Sequence, residues 1–260
     1  MLHTDHPKPS RSMLYDPSFY RGQIAISRRS ADRVVPLLVD LLAPDSVIDV
    51  GCGVGTWMAS WSDHGVMNLV GLDGSGAASG LLQVDPSLVQ TVDLTGPTEF
   101  DRTFDVAVSL EVAEHLPLSA AEDFVRTLTS LAPVVVFSAA IPGQGGIGHV
   151  NEQWPSWWAH RFAQEGFDAY DVLRFRIWND PAVAPYYSQN TVIFASKDGA
   201  ACAPGLRGLV PVPPLDLVHP RLFERRMAHP LRRAVADALP EAITNRVTSR
   251  IRGRARPTPE

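Results

Sequence analysis

The chain has 260 residues, 45% of them hydrophobic, and a formal net charge of -5, the composition of an ordinary globular protein with one sizeable core. No apolar run approaches the roughly 20 residues of a membrane helix, and the N-terminal MLHTDHPKPSRS lacks the apolar centre of a signal peptide, so a cytoplasmic location is expected. Thirteen Lys and Arg against 24 Asp and Glu make residues 1–220 a poor nucleic-acid surface, whereas residues 221–256 carry ten Arg against three acids.

Residues 1–14 read as a flexible N-terminus and 15–44 as an N-terminal helical cover. Val34, Val35, Leu38, Leu41 and Leu42 recur there at helical spacing, with Ser30 as N-cap and Pro44 as the stop. Strand and helix then alternate through an α/β domain at 45–198. The strands are 46–50, 67–73, 88–94, 104–110 and 132–140, with two more near 170–177 and 191–196. Helices are expected at about 54–65, at 119–131, where Ser119 and Glu122 have the capping-box spacing, and at 156–164. Near-continuous apolar strands separated by helices predict a doubly wound, mostly parallel seven-stranded sheet covered on both faces. Residues 199–220, with five prolines, read as an extended strap. Residues 221–260 read as a basic extension, solvated or resting weakly on an anionic membrane surface or an acidic partner. Cys52 and Cys202 offer neither a disulfide framework nor a metal quartet.

The stretch VIDVGCGVGTW, residues 47–57, sits where the first strand turns into the following helix, the ligand-binding edge of such sheets. Gly51, Gly53 and Gly55 remove side chains from that turn, which lets backbone come close to a nucleoside cofactor. The spacing is G-x-G-x-G rather than the dinucleotide fingerprint G-x-G-x-x-G, with Thr at position 56. Asp49 would repel a pyrophosphate but suits a ligand carrying an ammonium group. Asp73, at the end of the second strand, is placed to bond a ribose, and Asp93, after the third, to meet an adenine amino group.

DVGCGVGTW, GLDGS (71–75), VDL (92–94) and FDVAVSLEVAEHLP (104–117), in that order, resemble the motifs of class I S-adenosylmethionine-dependent methyltransferases. The resemblance implies a Rossmann-like fold ending in an antiparallel strand and S-adenosylmethionine as cofactor. It implies Asp49 and Gly51 near the methionine moiety, Asp73 on the ribose hydroxyls, and Asp93 and Leu94 beside the adenine. Cys52, Gly53, Gly55, Trp57 and Gly74 fall within the same cofactor motifs, and Leu110, Glu111 and His115 line the cofactor from the end of the fourth strand.

A methyl already activated on sulfur needs alignment and, for a hydroxyl acceptor, a base. His149, on the glycine-rich loop GGIGHVNEQ after the fifth strand, is the first candidate; His115 is the second, with Glu111 or Glu114 orienting one of the rings. Trp154, Trp157, Trp158, Trp178, Tyr186 and Tyr187 offer aromatic faces for a sugar or a flat polyketide ring, about half of them expected in the core. The segments YDPSFYRGQIAISRRSA (15–31), AIPGQGGIGHVNEQWPSWWAHRFAQEGF (140–167) and LVHPRLFERR (217–226) are similar to bacterial methyltransferases of polysaccharide and glycan assembly, a group that includes the mycobacterial sugar 1-O-methyltransferase of methylmannose polysaccharide biosynthesis. That similarity implies Tyr20, Gln23 and Ser27 over the cofactor and His149 as the base at a sugar hydroxyl. No metal-ligand set is assigned: a divalent ion is compatible with Glu111, Glu114, His115 and His149 but not required. The alternatives are a phenolic or polyketide acceptor, and a cofactor-binding scaffold without catalysis.

Overall fold

A computed structural model of the chain describes residues 17–74, 80–96, 98 and 100–227. The chain divides into two compact units, 1–217 and 218–260; every element named below belongs to the first. Helix α1 (Pro17–Leu42) leads into β1 (Ser46–Val50), α2 (Thr56–Asp63), β2 (Asn68–Asp73), β3 (Val89–Thr91) and β4 (Val106–Leu110). Then come α3 (Ala121–Leu131), β5 (Val134–Ser138), α4 (Pro155–Gln164), β6 (Asp168–Tyr170), α5 (Arg174–Ile177), α6 (Pro185–Asn190), β7 (Val192–Ala195) and α7 (Lys197–Cys202).

The seven strands lie in the order β3-β2-β1-β4-β5-β7-β6. Pairing is parallel from β3 across to β5, and β7 runs antiparallel to both β5 and β6. Side chains alternate across the sheet. Val47, Val106, Val108, Val134 and Val136 face one core with Val35 and Leu38 of α1 and Met58 and Trp61 of α2. Ile48, Val50, Ala107, Val135 and Phe137 face the other with Phe124 and Leu128 of α3 and Trp158 and Phe162 of α4. Both faces are therefore covered, as continuous apolar strands require. Phe162 stacks on Phe194 with ring centroids 4.0 Å apart.

Five local expectations are corrected. Ser30 is no N-cap: α1 runs through it, and the buried Ser30 hydroxyl donates to the Ile26 carbonyl and accepts from Ala184 N–H. Ser119 sits in a 3₁₀ turn, Leu118–Ala120, and α3 begins without a side-chain cap. The strand expected near 170–177 stops at Tyr170 and becomes α5. A fully buried arginine explains this: the helical turn brings the Arg174 guanidinium back onto Asp171 and delivers it to the carbonyls of Gln189 and Leu215. The third strand covers only 89–91 of the 88–94 expected. The start of the strap is helical, in α7. Most of the Arg-rich extension, 228–260, lies outside the described residues. Among the described residues no helix is long and apolar enough to cross a membrane.

Candidate active site

The carboxyl ends of β1, β2 and β4 and the loop after β5 meet at one edge of the sheet. At β1 the glycine turn folds back on β2: Gly51 and Cys52 N–H both reach the Leu72 carbonyl, at 2.7 and 3.1 Å. All three glycines have left-handed backbone, with φ of 84°, 55° and 76°, but for different neighbours. A Cβ on Gly51 would lie 2.3 Å from Val112 and one on Gly55 2.6 Å from Val84, whereas a Cβ on Gly53 would meet nothing within 4 Å. Bareness toward a ligand is therefore a property of Gly53; Gly51 and Gly55 are glycines for packing as well as dihedral reasons. The Gly53 N–H donates to Asp73 Oδ2 at 2.8 Å.

Asp49 is buried, and its Oδ2 has no hydrogen-bond partner. Burial, and next the charge of Asp73, raise its carboxyl to about 7. A buried acceptor left open at the glycine turn fits a cationic partner. Asp93 is exposed, and its carboxylate takes the backbone N–H and hydroxyl of Thr95. Leu94, Cys52 and Trp57 are buried, and burial pushes the Cys52 thiol far up, so it stays protonated. Gln23 lies on α1, but its side chain is outside the described residues.

The loop after β5 carries His149, and the residue that holds it is Glu152. One Glu152 oxygen accepts from Gly143 N–H at 2.7 Å; the other accepts from Gly145 N–H at 2.7 Å and lies 2.9 Å from His149 Nδ1. Partial burial works against that charge, but the hydrogen bonds from His149, Gly143 and Gly145 outweigh it and lower the carboxyl. With Nδ1–H committed to Glu152, Nε2 is the basic nitrogen. It stands 4.0 Å from Glu114 Oε1. The carboxylate that orients His149 is thus Glu152, and the only sequence signal for it is its place three residues beyond the histidine.

Glu114 is wholly buried with both oxygens unpartnered; burial and the adjacent Glu111 push its carboxyl well above the usual range. His115 packs edge-on against His149, ring centroids 4.9 Å apart. Glu114, His115 and His149 each bring one ligand-type atom within 4.8 Å of the others; Glu111 is not part of that group.

A pocket of about 460 Å³ opens here. Of the residues singled out in the sequence, Ser27, Gly53, Leu110, Glu111, Glu114, His115, His149, Tyr186 and Tyr187 line it, joined by Gln144, Gly145, Gly146 and Ile147. Tyr187 is anchored by Trp57 Nε1–H and Ser27, both at 3.3 Å, and burial raises its hydroxyl to about 12. The loop tryptophans do not line the pocket: Trp158 packs on Phe137 in the core, and Trp157 lies under the Arg161 guanidinium.

The family described as "Methyltransferase domain" matches residues 20–178. No curated protein matches the sequence. The fold is similar to DesVI of Streptomyces venezuelae, with 14% identity and a TM-score of 0.54 over 73% of this chain and 100% of that one. It is similar to a SAM-dependent methyltransferase from Archaeoglobus fulgidus, with 15% identity and a TM-score of 0.51 over 70% of this chain and 100% of that one. Magnesium protoporphyrin IX methyltransferase from Synechocystis, solved with bound SAH, gives 19% identity and a TM-score of 0.50 over 70% of this chain and 90% of that one.

Proposed function

The chain belongs to the methyltransferase domain family, an enzyme family whose methyl donor is S-adenosylmethionine, and from that premise we propose that it methylates a hydroxyl of a sugar or glycan intermediate, with His149 as the general base. The observation that carries this reading is that His149, held at Nδ1 by Glu152, lines the same pocket as Gly53 and Leu110 from the cofactor motifs. The donor's amine is assigned to Asp49, whose open Oδ2 suits an ammonium, and its ribose to Asp73. Gly53 leaves room for the chain between them.

When bound, the donor supplies a methyl already electrophilic on a sulfonium, so the protein's part is alignment and proton removal. His149 Nε2 takes the acceptor's hydroxyl proton as its oxygen bonds the methyl and the carbon–sulfur bond breaks. The resulting imidazolium is stabilised by the Glu152 carboxylate at Nδ1. The carboxyl groups of Glu111 and Glu114 and the amide of Gln144 in the lining favour a polyhydroxyl acceptor over a flat phenol; among the described aromatic side chains Tyr186 and Tyr187, besides the two imidazoles, reach the pocket. Similarity to glycan-assembly methyltransferases at residues 140–167 points the same way.

Formation of S-adenosylhomocysteine over a panel of saccharides and phenols tests the proposal. His149→Ala is expected to lower kcat by about 10²–10⁴ while the affinity for S-adenosylhomocysteine stays within a few-fold. A parallel loss of cofactor affinity would make His149 structural, and turnover of phenols alone would reassign the acceptor.

A further inference from the structure

Only Ala43 and Glu111 among the described non-glycine residues have positive φ, and Glu111, at 56°, is the one that lines the pocket. Such a conformation persists in a side-chain-bearing residue only where its surroundings over-determine it, and here they do. The Glu111 N–H donates to the Ser138 carbonyl at 3.0 Å and lies 3.1 Å from its hydroxyl. Its Oε1 accepts from Asn190 Nδ2 at 3.0 Å, and Oε2 from Gln144 Nε2 at 2.9 Å. The Gln144 carbonyl accepts in turn from Asn190 and Gln189.

Burial raises the Glu111 carboxyl, and the hydrogen bonds from Asn190 and Gln144 act against that by holding both oxygens as acceptors; each oxygen has a lone pair beyond the one its amide donor uses. No Lys or Arg occurs among the described residues lining the pocket, whereas the hydrogen-bonded carboxyl of Glu111 does. A phosphate or carboxylate placed beside Glu111 would meet its negative charge with no Lys or Arg in the described lining to offset it. At about 5 Å and an effective dielectric near 20, one such charge pair disfavours binding on the order of a hundredfold.

We propose that Glu111 determines acceptor specificity: its carboxylate, clamped between Asn190 and Gln144, accepts hydrogen bonds from the hydroxyls of an uncharged polyhydroxyl acceptor and excludes acceptors that carry a phosphate or carboxylate beside the methylated position. The proposal rests on the reading of this pocket as a saccharide acceptor site. A role confined to bracing β4 against α6 would move stability but not charge preference.

The test compares neutral methyl glycosides with their 6-phosphates and their uronic acids, read as kcat/KM, in the full chain and in Glu111→Gln and Glu111→Asp. Neutral acceptors are expected to be preferred about a hundredfold. Glu111→Gln should narrow that ratio at least tenfold, and Glu111→Asp, which keeps the charge, should preserve it while weakening the acceptor. Equal use of charged and neutral acceptors, or a ratio unmoved in Glu111→Gln, overturns the proposal.

A panel without any turnover would strike at the saccharide reading itself. Charge exclusion is then read by titrating inorganic phosphate into the full chain saturated with S-adenosylhomocysteine. No binding heat in the parent and measurable heat in Glu111→Gln supports it; saturable heat in the parent overturns it. Should Glu111→Gln fail to fold, the parent's acceptor ratio and phosphate titration decide alone.

Discussion

Gly146→Ala is the perturbation whose effect can be worked most directly from the structure. Gly146 is not one of the glycines with left-handed backbone, so alanine meets no conformational penalty there and its Cβ is the whole perturbation. That Cβ would lie 2.1 Å from Nε2, 2.4 Å from Cε1 and 2.7 Å from Cδ2 of His149. Ordinary contact begins near 3.4 Å, so ring and loop must part by about 1.3 Å. The ring cannot simply swing aside, because Nδ1 is bonded to Glu152, which also holds Gly143 and Gly145. Misplacing a reacting group by about 1 Å costs on the order of 10² in rate, and overpacking of this kind costs about 1–3 kcal/mol of stability. Steady-state formation of S-adenosylhomocysteine gives kcat, and calorimetry gives the cofactor Kd. Gly146→Ala should lose about a hundredfold in kcat with Kd within a few-fold, and Gly96→Ala, whose Cβ meets nothing within 4 Å, should match the parent. A folded Gly146→Ala protein with the parent's kcat would refute the assignment of His149 to the reaction.

Cofactor affinity should depend on pH through Asp49, because an ammonium pairs with the ionised carboxyl and that carboxyl sits at about 7. Below that value the Kd for S-adenosylhomocysteine should rise about tenfold per pH unit and above it level off; the same titration on Asp49→Asn should be flat and weak. The apo protein should show the opposite trend, losing part of its stability as pH rises toward 7, since the fold holds the Asp49 proton more tightly than the unfolded chain does. Phe162→Ala, which empties the stack on Phe194 beneath α4, should cost about 3–5 kcal/mol in urea unfolding; a loss under about 1 kcal/mol would contradict the packing described for that face.

What could be read from the sequence was set by local periodicity. Runs such as VVVF and VAVSL reveal buried parallel strands because both faces of the sheet are covered, and the glycine turn reveals the ligand edge because three left-handed residues leave little choice of residue type. What could not be read depends on distant partners. Ser30 has the chemistry of a cap, yet its hydroxyl serves Ala184, 154 positions away. Residues 174–177 alternate like a strand, but Arg174 needs carbonyls from Gln189 and Leu215. At the site, His149 stood out by its glycine-rich loop, and Glu152 was visible as a neighbour but not as the group that holds the ring. Glu111 stands out in the sequence only by its place after β4. Its clamp comes from Gln144 and Asn190, separated from it by 33 and 79 positions, and no spacing rule connects them.

Calorimetric titration of the intact protein with S-adenosylhomocysteine at pH 8 tests most directly whether the glycine turn and its acids hold the methyl donor. A saturable one-to-one heat, strongly weakened by Asp49→Asn, is the predicted result. No heat from S-adenosylhomocysteine or S-adenosylmethionine in a folded protein would contradict it.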